Sequence, residues 1–303
     1  MAQFRTRRAP GDGILLIDKP AGCTSHDVVA RVRRLLKPGV KSVGHAGTLD
    51  PFATGLLLML IGRGTKLARF FVDLSKEYEC TMQFGATSST GDLTGELAPS
   101  GISTTGEEID DVLPQFLGRI MQTVPMTSAV KVDGERLYKK AHRGEVVETP
   151  VREVEIESIT ERDFDAATQQ LRCRIRCSKG TYVRQLATDV GSLVGAGAYL
   201  EQLTRAAIGG FRLDKAQSLA DFETAIAARE EGDERIPGLV SPTSALEFLP
   251  AVEVSAAAVP AVRNGARLSD GPLESVRIMY RGELLGVYGP IEGERGIKPL
   301  VMM

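Results

Sequence analysis

The chain has 303 residues, with 37 Lys or Arg against 39 Asp or Glu, a formal net charge of −2 and 43% hydrophobic residues. That is enough apolar mass for one large domain, or a large domain with a small companion, and no stretch reaches the roughly 18 apolar residues a membrane helix needs. The polar, basic Met1–Pro10 segment lacks a signal-peptide core, so a cytoplasmic protein is expected, and Cys23, Cys80, Cys173 and Cys177 suit that compartment as ordinary thiols.

In chain order, Ile14–Asp18 reads as a short strand and Lys19-Pro20-Ala21-Gly22 as a turn. Thr24 or Ser25 then caps a helix whose apolar positions Val28, Val29, Val32, Leu35 and Leu36 have helical spacing. The run Leu56–Ile61 is a buried strand, followed by a short helix around Thr65–Phe71. Residues 76–84 alternate, with Tyr78, Cys80, Met82 and Phe84 on one face and Glu77, Glu79, Thr81 and Gln83 on the other, as in a half-buried strand. The Ser, Thr and Gly content of 87–106 predicts a long loop, and Asp133-Gly134 a turn ahead of a basic stretch with Arg136, Lys139, Lys140 and Arg143. Leu171, Cys173, Ile175 and Cys177 alternate with arginines in another strand, after which Val183, Leu186, Ala187, Val190, Leu193 and Val194 mark a helix. Residues 216–246, Ala/Glu-rich and acidic, form a bridge to a small β-rich region from about residue 247, where VRIMY and LLGVYG predict a hairpin.

The near-neutral total hides an uneven distribution. Residues 1–86 carry 13 basic against 7 acidic side chains and 119–215 carry 16 against 13, while 87–118 and 216–246 are acidic. A local basic surface matters more to a nucleic-acid partner than the total charge. His26, His45 and His142 are scattered, and Cys173 and Cys177 have no second ligand pair nearby, so a zinc site is not expected.

One segment carries most of the chemistry: Gly44-His45-Ala46-Gly47-Thr48-Leu49-Asp50-Pro51-Phe52-Ala53-Thr54-Gly55. Glycines permit tight turns and close approach, and Pro51 biases Asp50 towards an extended backbone. A carboxylate presented on such a loop is a candidate nucleophile or general base; the alternative is an Asp that only caps a turn. The chain lacks a G-x-S-x-G elbow, GRGTK at 62–66 has the wrong spacing for a phosphate loop, and GAGAYL at 195–200 lacks the third glycine of a dinucleotide loop.

The segment GHAGTLDPFATGLL resembles the catalytic loop of the TruB-type pseudouridine synthases, which modify uridine-55 of tRNA. Further segments match in order: GILLIDKPAGCTSHDVV (13–29), KEYECTMQFGATSSTGD (76–92), PMTSAVKVDGERLYKKAHRGE (125–145), CSKGTYVRQLATDVG (177–191) and LTRAAIGGFRL (203–213). The resemblance implies an α+β fold, a mostly antiparallel mixed sheet flanked by helices, in a catalytic domain spanning residues 1–246. Residues 247–303 would be a small C-terminal RNA-binding domain of the PUA type, where the match is loose.

It also implies an isomerase acting on tRNA through its T-arm, without cofactor or metal, and expected to be a monomer. By resemblance Asp50 is the nucleophile, Tyr78 the residue that stacks on a flipped base, and Arg184 the partner of Asp50. Tyr182 would help form the uridine pocket, Leu203 would pack near the nucleotide, and His45 would contact the rearranged RNA loop. Read without the resemblance, Tyr78 fits a core tyrosine and Arg184 a surface cation, although a cation in the first turn of a helix opposes its dipole and calls for a partner. Lys19 and Lys66 are candidate phosphate contacts by charge, and the 136–143 stretch a candidate tRNA clasp. A non-catalytic tRNA-binding or folding factor is the main rival. A glycosidase ranks lower, because it normally needs two carboxylates flanking the bond.

Overall fold

The apolar run 56–61 has no face towards water: Leu56, Leu58 and Leu60 enter one core cluster, Leu57, Met59 and Ile61 another. An unbroken apolar run suits a strand covered on both sides, and this one lies inside the main sheet. The computed structural model describes residues 11–230 and 232–303. In chain order the elements begin with β1 (Gly13–Lys19), α1 (Ser25–Leu35), β2 (Val43–Ala46), β3 (Thr54–Ile61), α2 (Ala68–Val72) and β4 (Lys76–Phe84). They continue with β5 (Ala86–Ser88), β6 (Leu97–Pro99), α3 (Gly106–Val112), β7 (Gly118–Thr123), β8 (Lys131–Val132), β9 (Glu135–Arg136) and α4 (Leu137–His142). Next are β10 (Val151–Asp165), β11 (Gln170–Cys177), α5 (Val183–Leu193), β12 (Ala198–Ile208), β13 (Phe211–Arg212), β14 (Gln217–Ser218) and α6 (Leu219–Ala227). The last are α7 (Pro242–Ala245), β15 (Ala251–Glu253), α8 (Val259–Arg263), β16 (Val276–Tyr280), β17 (Glu283–Pro290) and β18 (Ile297–Met302).

Ten strands form one sheet in the order β14-β1-β3-β12-β4-β11-β10-β7, with β2 added to β3 and β13 to β12. Within it β1/β14 and β3/β12 are parallel, and the other pairs are antiparallel. With helices packed on it, the molecule is the expected α+β type. Thr24 is the N-cap of α1, and its capping box with Asp27 satisfies two backbone N–H groups that the helix leaves open. α5 buries Leu186, Ala187 and Val190 against Cys80, Met82 and Ile175 of the sheet. Asp133 and Gly134 both have positive φ, as a two-residue type I′ turn between β8 and β9 requires. The β15–β18 strands make a separate four-stranded sheet, and Met279, Leu284 and Val287 from it share a core with Ile14, Leu56, Leu58 and Phe71.

Two expectations need correcting. The 87–106 segment is not plain loop: β5 and β6 pair within it, and Asp92 between them is buried. The acidic 216–246 segment is not a bridge but part of the core. β14 pairs with β1, Val240 pairs with Ile14, and Leu219 and Phe222 of α6 pack with Val28, Val29 and Val32 of α1. Of its acidic residues, Asp221 and Glu223 lie on α6, which buries Leu219 and Phe222 instead, and Glu223 pairs with Arg31. Phe222→Ala should therefore destabilise the protein by about 3–5 kcal/mol, read from the midpoint of a urea titration.

Candidate active site

Asp50 lies between β2 and β3 in a loop anchored at almost every residue. Arg205 of β12 donates from Nη2 to the Gly47 carbonyl (3.0 Å), from Nη1 to the Thr48 carbonyl (3.3 Å) and from Nε to the Leu56 carbonyl (2.8 Å). Ser25 Oγ accepts from the Leu49 N–H (2.9 Å) and donates to the Leu49 carbonyl (3.1 Å). The Pro51 carbonyl accepts from the Gly22 N–H (2.8 Å) and from Lys19 Nζ (3.4 Å). Lys19 is fully buried and also donates to the Pro20 and Cys23 carbonyls at 2.8 Å. It is a structural cation beneath the loop, which corrects its reading as a phosphate contact. Lys66 Nζ instead reaches the Met302 carbonyl of the C-terminal sheet at 3.2 Å.

The Asp50 carboxylate, with a side chain 33% exposed, meets the guanidinium of Arg184, which is 3% exposed. The pair is bidentate: Nε to Oδ2 at 2.8 Å and Nη2 to Oδ1 at 3.2 Å. Nη1 donates to the Thr90 carbonyl (2.8 Å) and to Thr127 Oγ1, and Nη2 also reaches the Thr127 carbonyl (3.5 Å). All the guanidinium donors thus have acceptors, the condition for holding such a charge out of water. A second carboxylate, Asp92, stands 3.6 Å from Nε, its Oδ1 fixed by Thr90 Oγ1 (2.9 Å), the Thr94 N–H (2.9 Å) and the Thr94 hydroxyl (2.5 Å). The first turn of α5 therefore carries a cation in spite of its dipole, because two carboxylates and three neutral acceptors compensate it.

The exposed edge of Asp50 opens into a cleft of about 360 Å3. Tyr78 of β4, Tyr182 and Arg184 at the start of α5, and Leu203 of β12 line it together with Asp50. His45 of β2 does not line it; this ring is half-buried and, among the described residues, its Nδ1 has no hydrogen-bond partner. Burial, reinforced by the Arg205 charge, holds the His45 imidazolium pKa below its usual range. Burial raises the Tyr78 phenol, against a smaller downward pull from Arg205, so the hydroxyl keeps its proton at neutral pH. The Tyr182 backbone is clamped by Gln122 of β7, which accepts from its N–H (2.8 Å) and donates to its carbonyl (3.1 Å).

The chain matches the model of the TruB family pseudouridylate synthase N-terminal domain over residues 33–183, a span that holds the Asp50 loop, Tyr78 and Tyr182. The tRNA pseudouridine synthase B of Geobacillus thermodenitrificans is 43% identical over 306 residues, covering 95% of this chain and 98% of the relative. The chain belongs to the TruB family. The enzyme of the same name from Cupriavidus metallidurans is 39% identical, covering 94% and 89% of the two chains. TruB-type catalysis makes the protein an isomerase, a pseudouridine synthase. Its fold is shared at a TM-score of 0.73 and 24% identity with a chain from a crystal structure of a Cbf5-Nop10-Gar1 complex, covering 96% of this chain and 85% of that one. Among the described residues, no group of His, Cys, Asp and Glu is arranged to hold a metal, and no helix is long and apolar enough to cross a membrane.

Asp92, Thr127, Gln122, Lys76 and Arg205 escaped the sequence reading. Lys76 lines the cleft but is only 7% exposed; its Nζ donates to the Val72 and Leu74 carbonyls at the end of α2. Burial pushes its ammonium down to about 8, with the Arg205 charge adding to the effect. An unfolded chain holds this proton up to a pKa near 10.5. Between the two values the unfolded state binds more protons, so the penalty of a buried ammonium fades as pH rises. The stability of the wild type relative to Lys76→Met should be flat below about pH 7 and should rise from about pH 8 to about pH 10. Urea titrations of both proteins across that range measure it.

Proposed function

We propose that this enzyme isomerises uridine-55 in the T-loop of tRNA to pseudouridine, with Asp50 as nucleophile. The observation that carries the reading is the bidentate Arg184–Asp50 pair, held facing a cleft with tyrosine walls. Arg184 holds the carboxylate through two hydrogen bonds and aims it. In the reaction the N1–C1′ bond breaks and a C5–C1′ bond forms, C5 gives up its proton and N1 ends with one. No atom is gained or lost and no oxidant, reductant or cofactor is required. Asp50 adds covalently to the uridine, at the sugar or the base ring, and is released as the new bond closes.

The target base is flipped out of the folded loop and stacks on Tyr78, while Tyr182 and Leu203 complete the pocket and His45 contacts the displaced loop. Base–aromatic stacking of this kind contributes about 1–3 kcal/mol per base. The T-arm is recognised more by shape and backbone than by long sequence, so binding weakens with salt. Residues 247–303 act as a small RNA-binding domain of the PUA type, beside a catalytic domain of residues 1–246, and the protein works in the cytoplasm as a monomer.

The test is to incubate the purified protein and Asp50→Asn with an unmodified tRNA transcript and map pseudouridine at nucleotide resolution. The expected result is one new pseudouridine in the T-loop with wild type and none with Asp50→Asn, both proteins binding the tRNA. Unchanged modification by Asp50→Asn removes it as nucleophile. Binding without modification by the wild type would make the protein a tRNA-folding factor, and pseudouridine elsewhere would overturn the target.

A further inference from the structure

We propose that Arg205 is a positioning residue of the isomerisation: with Thr204 beside it, it holds the chain on both sides of Asp50 against β12 and so sets the carboxylate before substrate arrives. The inference rests on the reading of Asp50 as the nucleophile.

Arg205 is 1% exposed, heads the largest fully buried side chains, and has no carboxylate within ion-pairing distance among the described residues. A buried charge held only by neutral acceptors is costly, and an apolar residue would fill the space more cheaply if packing were its whole purpose. What the guanidinium holds is specific. Its acceptors are the carbonyls of Gly47 and Thr48, just ahead of Asp50, and of Leu56, just after the loop.

The backbone of the same residue completes the clasp. Arg205 pairs in register with Gly55, and a Cβ on Gly55 would stand 2.5 Å from the Arg205 carbonyl oxygen. With φ at +101°, that position is reserved for glycine by conformation as well as by space. One residue earlier, the Thr204 and Thr54 hydroxyls hydrogen-bond at 2.8 Å. β12 and β3 are parallel here, so side chain and strand pin opposite ends of one loop.

The other side of β12 ties this anchor to the base pocket. Arg205 lies opposite Tyr78 in the β12/β4 register, Leu203 lies opposite Cys80, and Arg205, Tyr78 and Leu203 all border the cleft. A displacement of the loop relative to β12 would therefore move the nucleophile relative to the surfaces that hold the base. A misplacement of about 1 Å can cost on the order of 100-fold in rate.

The test compares wild type, Arg205→Lys and Arg205→Gln below their melting temperatures, measuring the single-turnover rate of pseudouridine formation at saturating enzyme, tRNA affinity by filter binding, and thermal melting. Lysine keeps the charge but cannot reach all three carbonyls. The expected result is a rate lower by on the order of 100-fold with tRNA affinity unchanged. A wild-type rate with only a lowered melting temperature would overturn the proposal and leave Arg205 a structural role. If neither variant folds, Thr204→Val removes only the hydroxyl bond across the same junction. A slower rate at unchanged affinity then supports the proposal, and a wild-type rate overturns it. Asp50→Asn run in parallel separates the two readings. Activity in that variant sinks the nucleophile itself, whereas an inactive Asp50→Asn with a fully active Arg205→Lys sinks only the present inference.

Discussion

A guanidinium removed from water must have its donors accepted, and two such groups organise the functional end of this protein. Arg184 satisfies its donors on the Asp50 carboxylate, the Thr90 carbonyl and the hydroxyl and carbonyl of Thr127. Arg205 bonds through each of its three nitrogens to a carbonyl flanking the same loop. Together they make the position of one carboxylate a consequence of the core, because moving it would leave buried charge unpartnered. The segments that meet at Arg184 are distant in sequence: the 47–56 loop, the β5–β6 connection, the chain after β7 and the start of α5.

The sheet order explains how these segments converge. β12 is inserted between β3 and β4, parallel to the first and antiparallel to the second. That placement brings the Asp50 loop and Tyr78 to either side of one strand, with Leu203 and Arg205 between them. A cleft assembled on strands and a helix start is more exact than one built on free loops. The loop bearing Asp50 gains that exactness through its anchors to Lys19, Ser25, Arg184 and Arg205.

Legibility in the sequence followed local pattern. The strand at 76–84 and the helices at 25–35 and 183–193 showed their periodicity, and Asp50 stood out because Gly and Pro dictate its backbone. Arg184 was legible through a conflict, a cation where the helix dipole disfavours one. Arg205 was not: within Leu203-Thr204-Arg205-Ala206 no local rule separates a buried arginine from a solvated one, and its acceptors lie about 150 residues away. Asp92 was hidden in a Ser/Thr/Gly-rich stretch whose composition says loop, and Gln122 in an edge strand with little alternation. β10 escaped because charges interrupt its apolar positions; Val154 and Ile156 alone are buried there. The 216–246 segment misled for a related reason, since its composition averages exposed acidic residues such as Asp221 and Glu230 with the buried Leu219 and Phe222.

The account stands or falls on the claim that the Arg184–Asp50 pair is catalytic equipment rather than scaffolding. The most direct measurement is the single-turnover rate of pseudouridine formation by Arg184→Lys, alongside its tRNA affinity and melting temperature. A lysine retains the charge but cannot reproduce the two-pronged contact. The account predicts a rate reduced by at least about 100-fold in a folded protein that still binds tRNA. A folded Arg184→Lys that modifies tRNA at the wild-type rate would contradict it.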